Sequence, residues 1–263
     1  MPTLFRAFLS IYLGHLLTDF VFQTPRLVSQ KHSGKWRAYL IHGLTHFLAT
    51  LILLSFFLRG SAWMPRTYVA LLVLTLVHLL IDFAKILLTR RQLISYGARS
   101  YLADQLLHAL AIFFAAWRLA PGVSFRDLTQ LAAAARTSTV NLLLVPVVYI
   151  AVMFGGGYLI RDFTRALAEG VKRHSTEKTA EQLQNAGLYI GWLERFLVIT
   201  ALLLHSPASI GLILTAKSIA RFPEFKSEHF AEYFLIGTLL SIAIAILGGV
   251  ILVKAIFGVV RFT

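Results

Sequence analysis

Cysteine is absent from this 263-residue chain. That excludes disulfides and thiolate ligands, and leaves histidine, carboxylate and water to hold any metal. Charge is also scarce: Asp, Glu, Lys and Arg make up 14% of the residues against 57% hydrophobic, and the mean hydropathy is +0.73. A soluble domain of this size needs a more polar surface. Acid is the scarcer sign, with 12 Asp and Glu facing 25 Lys and Arg. In a soluble protein that excess of base would imply nucleic acid. Here the bases collect between apolar runs, where they act as topology determinants, and no nucleic-acid partner is expected. No glycine-rich phosphate loop precedes a helix. Gly155-Gly156-Gly157 falls inside an apolar run and reads as a site of close helix packing.

What the chain has instead is a series of apolar runs near the roughly 20 residues that cross a bilayer. They predict an all-α, polytopic transmembrane bundle of seven to eight spans, over 4–22, 39–58, 68–88, 101–117, 140–160, 188–204, 207–222 and 233–257. The seventh is short and follows Pro207 closely, so a re-entrant segment is the alternative. The first run lacks an A-x-A cleavage site and contains His15 and Asp19, and it reads as a retained helix. Lys and Arg are denser in the odd-numbered loops (Lys31, Lys35, Arg90, Arg91 and Arg161 among them) than in the even-numbered ones, with Arg59, Arg66 and Arg118. The odd loops are therefore expected in the cytoplasm, with the chain in a cytoplasmic (inner) membrane and its N-terminus outside. The expected organisation is a four-helix bundle over 1–120, a middle region over 121–187, and C-terminal helices over 188–263. In the middle region Ser124–Arg136 opens on a Ser-x-x-Asp capping pattern and reads as an interfacial helix, and Arg161–Ala186 reads as a cytoplasmic helix and linker.

The candidate site is written in the first four runs. Each carries one pair of metal-type side chains at i, i+4: His15/Asp19, His42/His46, His78/Asp82 and Asp104/His108. On a helix both members of such a pair lie on one face, a turn apart. Asp19, Asp82 and Asp104 are the only acidic residues in the first 126, and each is four positions from a histidine. Successive spans run in opposite directions. Measured from the cytoplasmic ends, His15, His46, His78 and His108 then form a layer roughly 10–15 Å deep, and Asp19, His42, Asp82 and Asp104 one roughly 5–9 Å deep. An ionisable group in a membrane helix costs about 2.5–3.5 kcal/mol on insertion scales, so eight of them need an organising partner. A divalent cation is one, because carboxylate and imidazole are its ligands and its charge offsets the aspartates; zinc is expected first, with manganese or iron as alternatives. Two ions roughly 3.5–4 Å apart could share a bridging Asp. Helix–helix hydrogen bonding without a metal is the plainer reading, and a haem between deep histidines leaves the aspartates unexplained. Lys85, one turn beyond Asp82, reads as a cation over an anionic substrate or as a snorkelling surface lysine.

The later runs hold a second set: Glu194, Arg195, Lys217, Arg221 and Glu232. Ion pairs Glu194–Lys217 or Arg195–Glu232 are expected if the set is structural. If it is functional, Arg195 or Lys217 binds an anionic head group, for which the planar fork of arginine is suited.

HLLTDFVFQT, HxxxH, HLLIDFAK and DQLLHALAI together resemble the bacterial integral-membrane family known as domain of unknown function 3307. GLYIGWLERFLVI, AKSIARF and AEYFLIGTLLS resemble the C-terminal extension of its longer members. The family brings no activity with it. A more distant resemblance, to membrane-bound metal-dependent hydrolases that place His and Asp at helix ends, implies hydrolysis. The residues point the same way, to a metal-dependent hydrolase in the bilayer acting on a phosphoester or other ester of an anionic, lipid-like or phosphorylated substrate. In that reading Asp82 is the general base and Lys85 steadies the leaving group's charge. The alternatives are a divalent-cation transporter, a di-iron oxidase of the histidine-box type built on His42-x-x-x-His46, and a membrane protein with a structural polar network.

Overall fold

A computed structural model describes residues 2–58, 64–120, 138–165, 167–168, 177–226 and 228–258. The regular elements among them are all helical. α1 (Pro2–Leu16) runs into a π-helical turn (Leu17–Phe22), and α2 (Pro25–His32), α3 (Trp36–Phe57), α4 (Pro65–Arg90) and α5 (Ala98–Leu119) come next. α6 (Ser138–Ile150), a second π-turn (Ala151–Gly155) and α7 (Gly156–Phe163) form one nearly continuous rod. α8 (Glu177–Leu203), α9 (Ala208–Ala220), a 3₁₀ turn (Phe222–Lys226) and α10 (Glu228–Phe257) complete the chain. The chain divides into two compact units, residues 1–147 and 148–263.

In the first unit, α1 packs on α3 and α5, and α4 closes the ring by packing on both of them. The faces of these helices are inverted relative to a soluble bundle. α3 turns His42, Gly43, His46 and Thr50 inward, while Leu40, Leu44, Leu48, Ile52 and Phe56, four residues apart, are exposed. α4 and α5 repeat the pattern with His78 and Thr75 inside and Leu72, Leu76, Leu80, Leu102, Leu106 and Leu110 outside. Such an outer surface is stable only against an apolar solvent, and the protein is read as membrane-spanning. Away from the polar groups the bundle is filled by Leu4, Ile11, Leu54, Leu71, Ile112 and Ala116. Helices α1 and α3 approach closely at Gly14, where a Cβ would lie 2.7 Å from Thr50 Cγ2 and 3.0 Å from Thr50 Cα.

Six of the described helical segments are long and apolar enough to cross a bilayer: Thr3–Phe22, Trp36–Phe57, Pro65–Arg90, Ala98–Leu119, Val140–Phe163 and Phe230–Phe257. That corrects the expected seven to eight. The apolar run over 188–204 belongs to α8, a 27-residue helix that begins on the polar stretch EKTAEQLQN and carries Glu194 and Arg195. The run over 207–222 gives α9, whose 13 residues reach about 20 Å and fall short of a roughly 30 Å hydrocarbon core. The expected interfacial helix Ser124–Arg136 lies outside the described residues.

Candidate metal centre

The eight side chains singled out by spacing converge inside the first unit. His15, His42, His46, His78 and His108 are buried, as is Asp104, while Asp19 and Asp82 keep a small exposed edge. The helix geometry explains the convergence: α3, α4 and α5 each turn both members of an i, i+4 pair to the bundle axis. α1 does so across its junction with the π-turn, which contains Asp19. A π-turn inserts one residue per turn and re-aims the side chains C-terminal to it, and such turns recur at functional sites.

His42 Nε2 stands at the middle of the cluster. It lies 2.9 Å from His78 Nε2, 3.4 Å from Asp19 Oδ1 and 3.3 Å from Asp82 Oδ2. His78 Nε2 is also 3.5 Å from Asp19 Oδ1, and His15 Nδ1 is 3.6 Å from Asp19 Oδ2. The rings of His46 and His78 stack with centroids 4.3 Å apart, and those of His15 and His108 stack at 4.8 Å. Two groups of donors have ligand atoms that all lie within 4.8 Å of one another: His15, His46 and His78, deep in the bundle, and Asp19, His78, Asp82 and His108 nearer its mouth. His78 belongs to both groups.

Several of these rings are oriented from behind. His108 Nδ1 donates to the Asp104 carbonyl at 2.9 Å, and among the described residues its Nε2 has no hydrogen-bond partner. His46 Nδ1 is 3.3 Å from Thr75 Oγ1, and its Nε2 likewise has no partner among the described residues. Nor, among them, do Asp19 Oδ1 and the two nitrogens of His15 make a hydrogen bond. One ring nitrogen fixed by a carbonyl or hydroxyl with the other left open is the arrangement of a metal-ligating histidine. The donor set, imidazole and carboxylate with no thiolate, suits zinc, manganese or iron.

Two lysines close the mouth. Lys31, on α2, donates to Asp82 Oδ2 and Gln23 Oε1, both at 2.6 Å. Lys85 donates to Asp104 Oδ2 at 2.9 Å, and Gln105 Nε2 reaches the same oxygen at 3.2 Å. Lys85 is therefore seated on Asp104, and the cation on Asp82 is Lys31, which spacing alone does not identify. The available signal is Thr24-Pro25, a helix start that turns the chain back after α1: Thr24 caps α2 through Leu27 N–H, and Pro25 takes the first helical position. At the outer end of α2, Arg90 donates to the His32 carbonyl, and His32 Nδ1 lies 3.4 Å from the Tyr96 hydroxyl. Burial, with Arg90, Lys31 and Lys85 nearby, holds His32 below its ordinary pKa of 6.5.

Residues 7–134 match the model of a family described as a protein of unknown function, DUF3307. The N-terminal unit belongs to that family. No curated protein and no solved structure matches the chain. All eight His and Asp side chains lie within the DUF3307 region, as do Lys31 and Lys85. The second polar set lies beyond it, in the second unit. There Lys217 pairs with Glu194 at 2.7 Å, as one of the two expected ion pairs has it. Arg195 takes a different partner from the expected Glu232: Nε and Nη2 donate to the Met153 carbonyl at 3.2 and 2.7 Å, and Nη1 to Ser241 Oγ at 3.1 Å. Glu232 is exposed, and Arg221 lines a cleft together with Glu194, Arg195 and Lys217.

Proposed function

We propose that the DUF3307 unit is the metal centre of a membrane-embedded hydrolase that acts on a phosphoester or other ester of a lipid-like substrate at the cytoplasmic leaflet. The observation that carries this reading is the pair of donor groups that share His78, His15/His46/His78 and Asp19/His78/Asp82/His108, each with its ligand atoms within 4.8 Å of one another. A divalent ion held there, zinc first, would polarise the ester and lower the pKa of a water. The chain's own residues supply the rest. His15, His46, His78 and His108, with Asp19 and Asp82, would hold the ion or ions, and Asp104 and Thr75 orient His108 and His46. Asp82 takes the proton of the attacking water as the ester bond breaks, and the leaving oxygen is protonated in turn. Lys31 and Lys85 present positive charge at the mouth, where an anionic substrate arrives.

A specific observation favours an enzyme over the alternative of a divalent-cation transporter. Beyond the histidines the bundle is closed by Leu4, Ile11, Leu54, Leu71 and Ile112. The ionisable groups farther along these helices, Arg6, Arg66 and Arg118 among them, are basic or weakly acidic tyrosines, and an ion path needs a ladder of ligands. A polar cluster on an apolar floor, with no ladder of ligands beyond it, suits a substrate that enters and leaves by one side. The test is a hydrolysis screen of phospho- and carboxylic esters of long-chain alcohols with purified protein. Asp82→Asn is expected to keep most of its metal and lose at least about 100-fold in turnover, the usual scale for a general base. His108→Ala is expected to lose the metal itself. Full turnover in Asp82→Asn, or metal flux into proteoliposomes without hydrolysis, would replace this reading with the transporter.

A further inference from the structure

The second unit holds a cleft of about 200 Å³, lined from α7, α8, α9 and α10. Its charged lining is unbalanced: Arg161, Arg195, Lys217 and Arg221 against Glu194. Lys217 and Glu194 neutralise each other across 2.7 Å, which leaves the guanidinium of Arg195 as the buried positive charge. Arginine has five N–H donors, and Arg195 commits three of them to Met153 and Ser241. The other two are one N–H on Nη1 and one on Nη2. These nitrogens are next to Gly191 and Gly157, where a Cβ would fall 3.2 Å from Nη1 and 2.8 Å from Nη2. Both glycines line the cleft, and any larger residue at either would crowd the guanidinium. A second group is also unanswered. Glu194 is buried and lines the cleft, and its Oε1 has no hydrogen-bond partner among the described residues.

The cleft thus offers two N–H donors on a cation and one carboxylate oxygen in need of a donor. The rest of its wall combines apolar side chains, Ile160, Leu188, Ile190, Phe230 and Phe234 among them, with the hydroxyls of Thr164, Tyr233, Thr238 and Ser241. Its position matters as well. It takes its lining from the C-terminal end of the span Val140–Phe163 and from the first turns of the span Phe230–Phe257. Span ends lie at the level of lipid phosphates. From these observations we propose that this cleft is a binding site for a phosphate-bearing amphiphile. The phosphate sits on the remaining N–H groups of Arg195 beside Lys217, a head-group hydroxyl or ammonium donates to Glu194 Oε1, and an acyl chain runs along Phe230 and Phe234. The proposal stands apart from the metal centre of the first unit and uses none of its residues.

The test uses the full chain purified in detergent, with metals chelated so that the first unit does not enter the readout. Native mass spectrometry would compare retention of phosphatidylglycerol, which has the anion and the hydroxyls, with phosphatidylcholine, whose head group carries no net charge and no donor. The wild type is expected to prefer phosphatidylglycerol by roughly tenfold or more. Arg195→Gln removes the cation on which the phosphate sits, and is expected to lose that preference. Gly237→Leu is the second variant: Gly237 lines the cleft, and a Cβ there meets no atom within 4 Å, so the helix accepts the change and the side chain fills the cleft. It too is expected to lose the preference. Equal retention of both lipids by the wild type, or a preference that survives Gly237→Leu, would overturn the proposal. Displacement of phosphatidylglycerol by millimolar inorganic phosphate alone would overturn its lipid part and assign the same anion chemistry to free phosphate.

Discussion

Lys31→Met separates a structural role of the cluster from a metal-binding one. Lys31 is buried on Asp82 Oδ2 at 2.6 Å, with Gln23 Oε1 at the same distance. Removing one partner of a buried ion pair costs about 3–5 kcal/mol, because the other charge is left uncompensated. Asp82 keeps 13% of its side chain exposed, which puts the expected loss at the lower end, about 3 kcal/mol. A metal ion at Asp82 supplies the compensation that Lys31 otherwise gives, so most of this loss should vanish when the site is loaded. By linkage the variant must then bind the ion more tightly, and a recovered 1.4 kcal/mol corresponds to about tenfold in affinity. The assay is thermal unfolding of wild type and Lys31→Met in detergent, each with chelator and with a zinc titration. The expected result is a large drop in midpoint with chelator, a small one with zinc, and a lower zinc Kd for the variant. Equal drops under both conditions, or a Kd unchanged or raised, would refute the placement of the ion against Asp82.

The same geometry predicts two more outcomes. His32 is held below its ordinary pKa, so between the two values the unfolded chain binds more proton than the folded one; stability conferred there is full above about pH 6.5 and is lost as pH falls. The pH dependence of unfolding in that window should flatten in His32→Gln, measured by the same thermal assay. Cysteines introduced as Lys35→Cys and Arg91→Cys should label only from the cytoplasm, and Arg66→Cys only from outside; the reverse would move the lysine-capped end of the His/Asp cluster, and any substrate, to the outer leaflet.

Much of the first unit is legible in the sequence because helix periodicity converts spacing directly into position. His42 and His46, or His78 and Asp82, can only share a face, and the scarcity of acid marks which faces are inward. What spacing does not carry is the path of a short connection or the reach of a long side chain. Lys31 arrives from α2 after a reversal at Gln23-Thr24, and Lys85 extends from α4 to Asp104 on α5 although Asp82 is closer in sequence. Arg195 departs from its expected partner for a related reason. The π-turn Ala151–Gly155 breaks the regular helical ladder, and the Met153 carbonyl within it takes the guanidinium that a periodic reading gives to Glu232. The span count is lower than expected because apolar length alone does not register the polar start of α8 or the short reach of α9.

The central claim is that the His and Asp side chains of the first unit hold a metal. Its most direct test is elemental analysis of the protein purified without added chelator, beside His46→Ala and His78→Ala. Stoichiometric zinc, manganese or iron in the wild type and its loss in both variants is the predicted result. Metal-free wild type that folds and functions normally, or metal retained in both variants, would contradict it.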